Sequence, residues 1–170
     1  HPVLCHGHRS DCPGHVPTKS WRIVIKRILT AVDGSDSSHR ALHMAGEMAQ
    51  KFDAELALLY VIRDTQIPDG VQKMADVELF HETRLTAMQM VGKQIVDECE
   101  TQVRSLGADK VKSEVRPGDP AGVILHYADE ADIDLIVMGS RGLGNLEGML
   151  MGSVSRKVTT LSKVACLTIK

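Results

Sequence analysis

The order in which apolar runs and helical periods follow one another constrains this 170-residue chain more than any other feature. A run that is apolar at nearly every position, rather than at alternate ones, suits a strand covered on both faces, as in a parallel sheet. Residues 23–32 (IVIKRILTAV, a strand in its later part), 56–62 (LALLYVI), 133–138 (IDLIVM) and 164–169 (VACLTI) have this character. Residues 111–115 (VKSEV) are less apolar, as expected nearer a sheet edge. Helical spacing fills the intervals. Ala41, Leu42, Ala45, Met48, Ala49 and Phe52 make one stripe, with Asp36 or Ser37 as its cap. Val77, Phe80, Leu85, Met88, Val91, Ile95, Cys99, Val103 and Leu106 make a second, ended by Gly107. Asp119-Pro120 opens a third helix, and Val154, Val158 and Leu161 mark a fourth. The order β-α-β-α-β-α-β-α-β predicts an α/β fold: a five-stranded parallel, doubly wound (Rossmann-like) sheet with four helices on its two faces. Such sheets bind ligands outside the carboxyl ends of their strands, where the strand order reverses. The loops after the first, second and fourth strands are therefore the ones to search.

Composition supports one domain with a full core. Hydrophobic residues are 43% and charged residues 25% of the chain. A net charge of −2 provides no broad positive field for nucleic acid, so no nucleic-acid partner is expected. No run approaches the roughly 20 apolar residues of a membrane span, so no membrane insertion is expected either. Cys5, Cys12, Cys99 and Cys166 are too few and scattered for a disulfide framework, which favours a reducing, cytoplasmic home. Residues 1–21 differ from the remainder. They are rich in His, Cys and Pro and show no apolar period, so they are read as an arm outside the domain at 22–170, with Trp21 packing that arm against the body. Cys5, His6, His8, Cys12 and His15 are metal-ligand types, but their spacing does not match a zinc site. His39, His43, His81 and His126 do not cluster in sequence.

The loop after the fourth strand carries the chemistry. It holds five glycines in fourteen residues: Gly139, Gly142, Gly144, Gly148 and Gly152. Glycines let backbone N–H groups turn outward and let a phosphate approach without a Cβ in the way. Gly152-Ser153 opens the last helix, whose free N–H groups favour an anion. The hydroxyls of Ser153 and Ser155 add donors, and Arg141 adds charge. Read from glycines alone, a flexible surface loop with a serine cap fits equally well. No G-x4-G-K-[ST] string is present, and Gly142, Gly144 and Gly148 are one residue too widely spaced for a dinucleotide fingerprint. Gly34-Ser35-Asp36-Ser37 matches an ATP pyrophosphatase loop only in part.

The spacing Gly139-x2-Gly142-x9-Gly152-Ser153 resembles the G-x2-G-x9-G-[ST] signature of the ATP-binding branch of the universal stress protein family. Val32-Asp33-Gly34-Ser35 and the GSVSRKV stretch from Gly152 to Val158 are similar to flanking segments of the same family. The resemblance covers about residues 24–170; Ser162-Lys163 stands where the family commonly has a proline. It implies that Gly139, Gly142, Gly152 and Ser153 cradle ribose and phosphates, with Arg141, Val154 and Ser155 beside them. It also implies that Asp33 contacts ribose or the metal shell, that Ala31 and Val32 line the same strand end, and that Val61 and Met138 contact adenine. From the residues alone, a helix cap is the alternative role for Asp33, and Val61 and Met138 read simply as core. The implied ligand is ATP with Mg²⁺ or Mn²⁺, and the implied assembly is a homodimer through the last strand, residues 164–169. No catalytic set accompanies this cradle, so a nucleotide-dependent regulatory or stress-response protein is expected rather than an enzyme. A slow ATPase or autokinase and a nucleotide-independent adaptor are the alternatives.

Overall fold

In a computed structural model, residues 24–63, 75–143 and 151–170 are described, with side chains omitted for residues 75–81. The arm and Trp21 lie outside them. Five strands and four helices alternate: β1 (Arg27–Val32), α1 (Asp36–Phe52), β2 (Glu55–Ile62), α2 (Ala75–Ser105), β3 (Val111–Pro117), α3 (Pro120–Glu130), β4 (Leu135–Gly139), α4 (Ser153–Leu161) and β5 (Ala165–Ile169). The sheet runs β3-β2-β1-β4-β5, and every pairing is parallel. The expected architecture is therefore observed, with the reversal of strand order between β1 and β4.

Side-chain alternation along the strands builds two cores. Ile28, Val32, Leu56, Leu58, Leu135 and Val137 face α1 and α2; Leu29, Ala57, Leu59, Ile136 and Met138 face α3 and α4. Thr30, fully buried at the centre of β1, has a hydroxyl with no hydrogen-bond partner, and nothing in the structure explains it. The helical stripes are narrower than their spacing suggests. Ala41, Leu42, Ala45 and Ala49 of α1 are buried, but Phe52, in its last turn, is half exposed. Among the described side chains of α2 the buried positions are Gly92, Val96, Cys99 and Val103, whereas Val91 faces solvent and Gly92 beside it is buried instead. Leu161, at the end of α4, is also exposed. Gly92 lets α2 lie close to the sheet: a Cβ there would stand 2.9 Å from Tyr60 and Val115.

Helix ends follow local rules. Gly107 closes α2 at φ +92°. Asp119 caps α3, its carboxylate accepting the Gly122 N–H at 3.0 Å, with Pro120 in the first turn. Lys157 of α4 reaches the same carboxylate at 2.9 Å. Lys157, then the Gly122 N–H, hold Asp119 below the ordinary carboxylate pKa. This exposed link between α3 and α4 thus contributes its small stabilisation at neutral pH and loses it only as acid protonates the carboxylate.

The two sheet edges differ. On β3, Lys112 pairs with Glu55 at 2.8 Å, and Arg116 pairs with Glu114 and Glu130 at 2.6 and 2.7 Å while stacking on Tyr127. The opposite edge, β5, reads ACLTI and carries no charge.

A core truncation and a rim truncation separate these packing roles. Leu58→Ala, at a fully buried central position, is expected to lower unfolding free energy by about 3 kcal/mol in urea titration. Phe52→Ala is expected to change it by less than about 1 kcal/mol. Similar losses for both would contradict the burial pattern.

Candidate functional site at the sheet switch point

Adjacent parallel strands β1 and β4 send their chains to opposite faces, so the loops leaving them part at the carboxyl edge of the sheet. The first loop is Asp33-Gly34-Ser35. Gly34 takes φ +80°, a backbone that residues with a Cβ rarely adopt. That turn delivers Ser35, not Asp36 or Ser37, as the cap of α1, its Oγ accepting the Ser38 N–H at 3.3 Å. The cap sits one residue earlier than the sequence reading placed it because the turn is complete at Gly34. Asp33 orders the turn from within. Its Oδ1 accepts the Ser35 N–H at 2.9 Å and the Ser35 hydroxyl at 2.6 Å. The Asp33 N–H in turn donates to Ser38 Oγ at 3.2 Å. No described residue donates a hydrogen bond to its second oxygen, Oδ2.

The second loop leaves β4 at Gly139. Ser140 is buried, and both its backbone groups are engaged: its N–H donates to Ile169 at 2.6 Å, and its carbonyl accepts the Gly152 N–H at 2.7 Å. The loop is thereby fixed at once to the end of β5 and to the start of α4. Ser37, also buried, donates its hydroxyl to the Arg141 carbonyl at 2.5 Å, with Ser35 Oγ at 3.4 Å from the same oxygen. Ser155 is buried too, and its hydroxyl donates to the Gly139 carbonyl at 2.7 Å. Its proton is directed at the strand end, so Ser153, exposed at the first position of α4, is the better-placed hydroxyl for a ligand. Gly144 and Gly148 lie outside the described residues.

The glycines of the motif have different reasons to be glycine. A Cβ on Gly139 would meet Ser37 Oγ at 2.5 Å and the backbone of Ser37 and Ser38 at 2.8 and 2.9 Å, so its hydrogen serves packing of β4 against the start of α1. A Cβ on Gly142 would stand 2.7 Å from Asp33 Oδ2, covering the carboxylate oxygen that is otherwise open. A Cβ on Gly152 would make only ordinary contacts, at 3.5 Å or more, with Arg141, Ser140 and Gly142. Gly152 caps α4 at φ −69° with no side chain to offer, so its own residue satisfies none of the first-turn N–H groups.

The remaining residues singled out from sequence divide by face. Met138 is buried in the α3/α4 core, and Ala31, Val61 and Val154 are half-buried and packed against that same core. All four belong to the core on one side of the sheet, near the carboxyl ends of β1, β2 and β4 and the start of α4. Val32 points the other way, buried under α1, so only its backbone faces the loops. Arg141 is exposed. Sequence reasoning named Ser35 in a family-like segment and Ser37 as a cap candidate but assigned neither of them, nor Ser38 or Ser140, to holding the two loops in place; the density of serine in Asp33-Gly34-Ser35-Asp36-Ser37-Ser38 is the signal for it. No group of three or more metal-ligand side chains occurs among the described residues.

Comparison with known proteins agrees with this architecture. The model of the universal stress protein family matches residues 25–170, and the chain belongs to that family. The universal stress protein YxiE of Bacillus subtilis is 33% identical over 161 residues, covering 86% of this chain and all of that protein. Universal stress protein MJ0531 of Methanocaldococcus jannaschii is 32% identical, covering 85% of this chain and 82% of its own length. Among solved structures, UspA from Lactobacillus plantarum superposes with a TM-score of 0.77 at 26% identity, covering 86% of this chain and 98% of that one. A universal stress protein in complex with cAMP superposes with a TM-score of 0.61 at 26% identity, over 86% and 98% of the two chains.

The glycine geometry separates folding from binding. Gly139→Ala is expected to destabilise the fold by about 2 kcal/mol, because the added methyl meets backbone. Gly152→Ala should stay within about 1 kcal/mol of the parent in the same denaturant titration. Equal losses would contradict the assignment of Gly139 to packing.

Proposed function

We propose that this member of the universal stress protein family binds an adenine nucleotide, ATP together with Mg²⁺ or Mn²⁺, and acts as a nucleotide-dependent regulatory protein. The observation that carries the reading is the opening of α4. A helix N-terminus capped by glycine stands beside Gly142 and an Asp33 oxygen without a partner among the described residues, and the missing Cβ of Gly142 leaves room between them. Free first-turn N–H groups and a helix dipole form an anion site. The donor set also fits the other parts of a nucleotide. Ala31, Val61, Met138 and Val154 offer an apolar floor for the base. Asp33 Oδ2 can accept from a ribose hydroxyl or hold a water of the metal shell, while Oδ1 keeps the turn in shape. Gly142, Ser153 and Val154 supply backbone N–H groups toward phosphate, with the Ser153 hydroxyl and the exposed Arg141 beside them. A bound divalent ion would neutralise phosphate charge that this loop has few fixed cations to balance. The related chain in complex with cAMP supports an adenine ligand for this fold.

The protein's own residues support binding more readily than turnover. Ser155 donates its hydroxyl proton to the Gly139 carbonyl and is buried, so it does not stand as a ready nucleophile. A homodimer through β5 belongs to the same proposal. An uncharged edge strand of five residues is exposed to pairing, whereas the ion pairs along β3 guard the other edge. Cys99 and Cys166 are free thiols, which suits a reducing, cytoplasmic setting; burial pushes the Cys99 pKa up and leaves that thiol unreactive.

Isothermal titration tests the reading. Mg-ATP is expected to bind with a dissociation constant below about 1 mM, and Gly142→Val, which covers Asp33 Oδ2 and crowds the loop, is expected to weaken it about tenfold or more. Absence of heat with Mg-ATP in this range, for a folded parent protein, would overturn it.

A further inference from the structure

The Arg141–Gly142 peptide lies between the two loops, and its orientation decides what the crevice presents to an anion. In a trans peptide the C=O and the following N–H point in opposite directions. The Arg141 carbonyl points toward the start of α1, where the Ser37 hydroxyl donates to it at 2.5 Å. The Gly142 N–H is therefore turned away from α1. The Gly142 nitrogen lies 3.7 Å from the position a Cβ on Gly152 would occupy, which places it beside the first turn of α4. Little in the backbone itself resists a flip of this peptide, because the residue that must absorb the φ change is glycine. A flipped peptide would present a carbonyl oxygen where an anion needs a donor.

We propose that Ser37 is a positioning residue for the anion site: its buried hydroxyl locks the Arg141–Gly142 peptide with the N–H on the phosphate side. The inference rests on the nucleotide-binding reading and adds a specificity element to it. Ser35 cannot readily substitute. Its hydroxyl stands 3.4 Å from the Arg141 carbonyl and is directed at Asp33 Oδ1, 2.6 Å away. Water cannot easily replace the donor either, since Ser37 is only 5% exposed. Gly139 belongs to the same device, because a Cβ there would occupy the space of the Ser37 hydroxyl.

Two measurements on the full chain test this. In calorimetric titrations of the parent and Ser37→Ala with Mg-ATP and with adenosine, the variant is expected to lose about fivefold or more in Mg-ATP affinity while adenosine changes by less than about twofold. A general loosening of the fold would weaken both ligands alike, and that result, or an unchanged Mg-ATP affinity, would overturn the proposal. The second readout needs no ligand. In ¹⁵N-edited NMR spectra, Ser37→Ala is expected to alter the Arg141 Hα to Gly142 H–N NOE, which reports the orientation of that peptide. An unchanged NOE overturns the role of Ser37 even if the parent binds no nucleotide. A changed NOE in a parent that binds none would retain the peptide lock and remove the nucleotide reading alone.

Discussion

Everything at the candidate site hangs from the parallel pairing of β1 with β4, from Ile28 opposite Leu135 to Ala31 opposite Met138. This pairing places two chains side by side and then sends them to opposite faces of the sheet, which opens a crevice no helix can close. Buried apolar residues on both faces hold the strands in that position, among them Ile28, Leu29, Ile136 and Val137. Strand ends in such a position leave backbone groups in need of partners. Here serine hydroxyls and one serine backbone satisfy them: Ser37 at Arg141, Ser155 at Gly139, and Ser140 at both Ile169 and Gly152. The glycine loop is therefore not loose at either of its described ends.

That arrangement links the proposed site to the proposed dimer edge. The carbonyl of Ile169, the last residue of β5, accepts the Ser140 N–H, and Arg40 of α1 donates to the carbonyl of Lys170 at 2.5 Å. The end of the edge strand, the base of the glycine loop and the cap of α4 thus form one hydrogen-bonded series.

Much of the fold is legible in the sequence because buried parallel strands leave so plain a pattern. Continuous runs such as LALLYVI can hardly be placed elsewhere, and Asp119-Pro120 and Gly107 mark helix ends by backbone chemistry alone. Helical stripes are less legible, since spacing gives a face but not its width. Phe52, Val91 and Leu161 fit their stripes and still face solvent, while Val96 and Gly92 are buried without standing out. The motif glycines were visible as a set, but spacing does not say which hydrogen meets a ligand and which meets the protein. Gly139 meets Ser37 and Gly142 meets Asp33. The serine network was hidden for a related reason: Ser37 lies more than a hundred residues from the Arg141 carbonyl it holds, and only the β1–β4 pairing brings them together.

The central claim is that an adenine nucleotide sits at this crevice with its phosphates on the Gly142 peptide and the first turn of α4. Amide chemical-shift perturbation in ¹⁵N-labelled protein on adding Mg-ATP tests it most directly. Saturable shifts concentrated at Asp33, Gly142 and Gly152 to Ser155, with smaller ones at Ala31 and Val61, are the predicted result. Shifts absent at those amides at millimolar Mg-ATP, or clustered away from the carboxyl edge of β1 and β4, would contradict it.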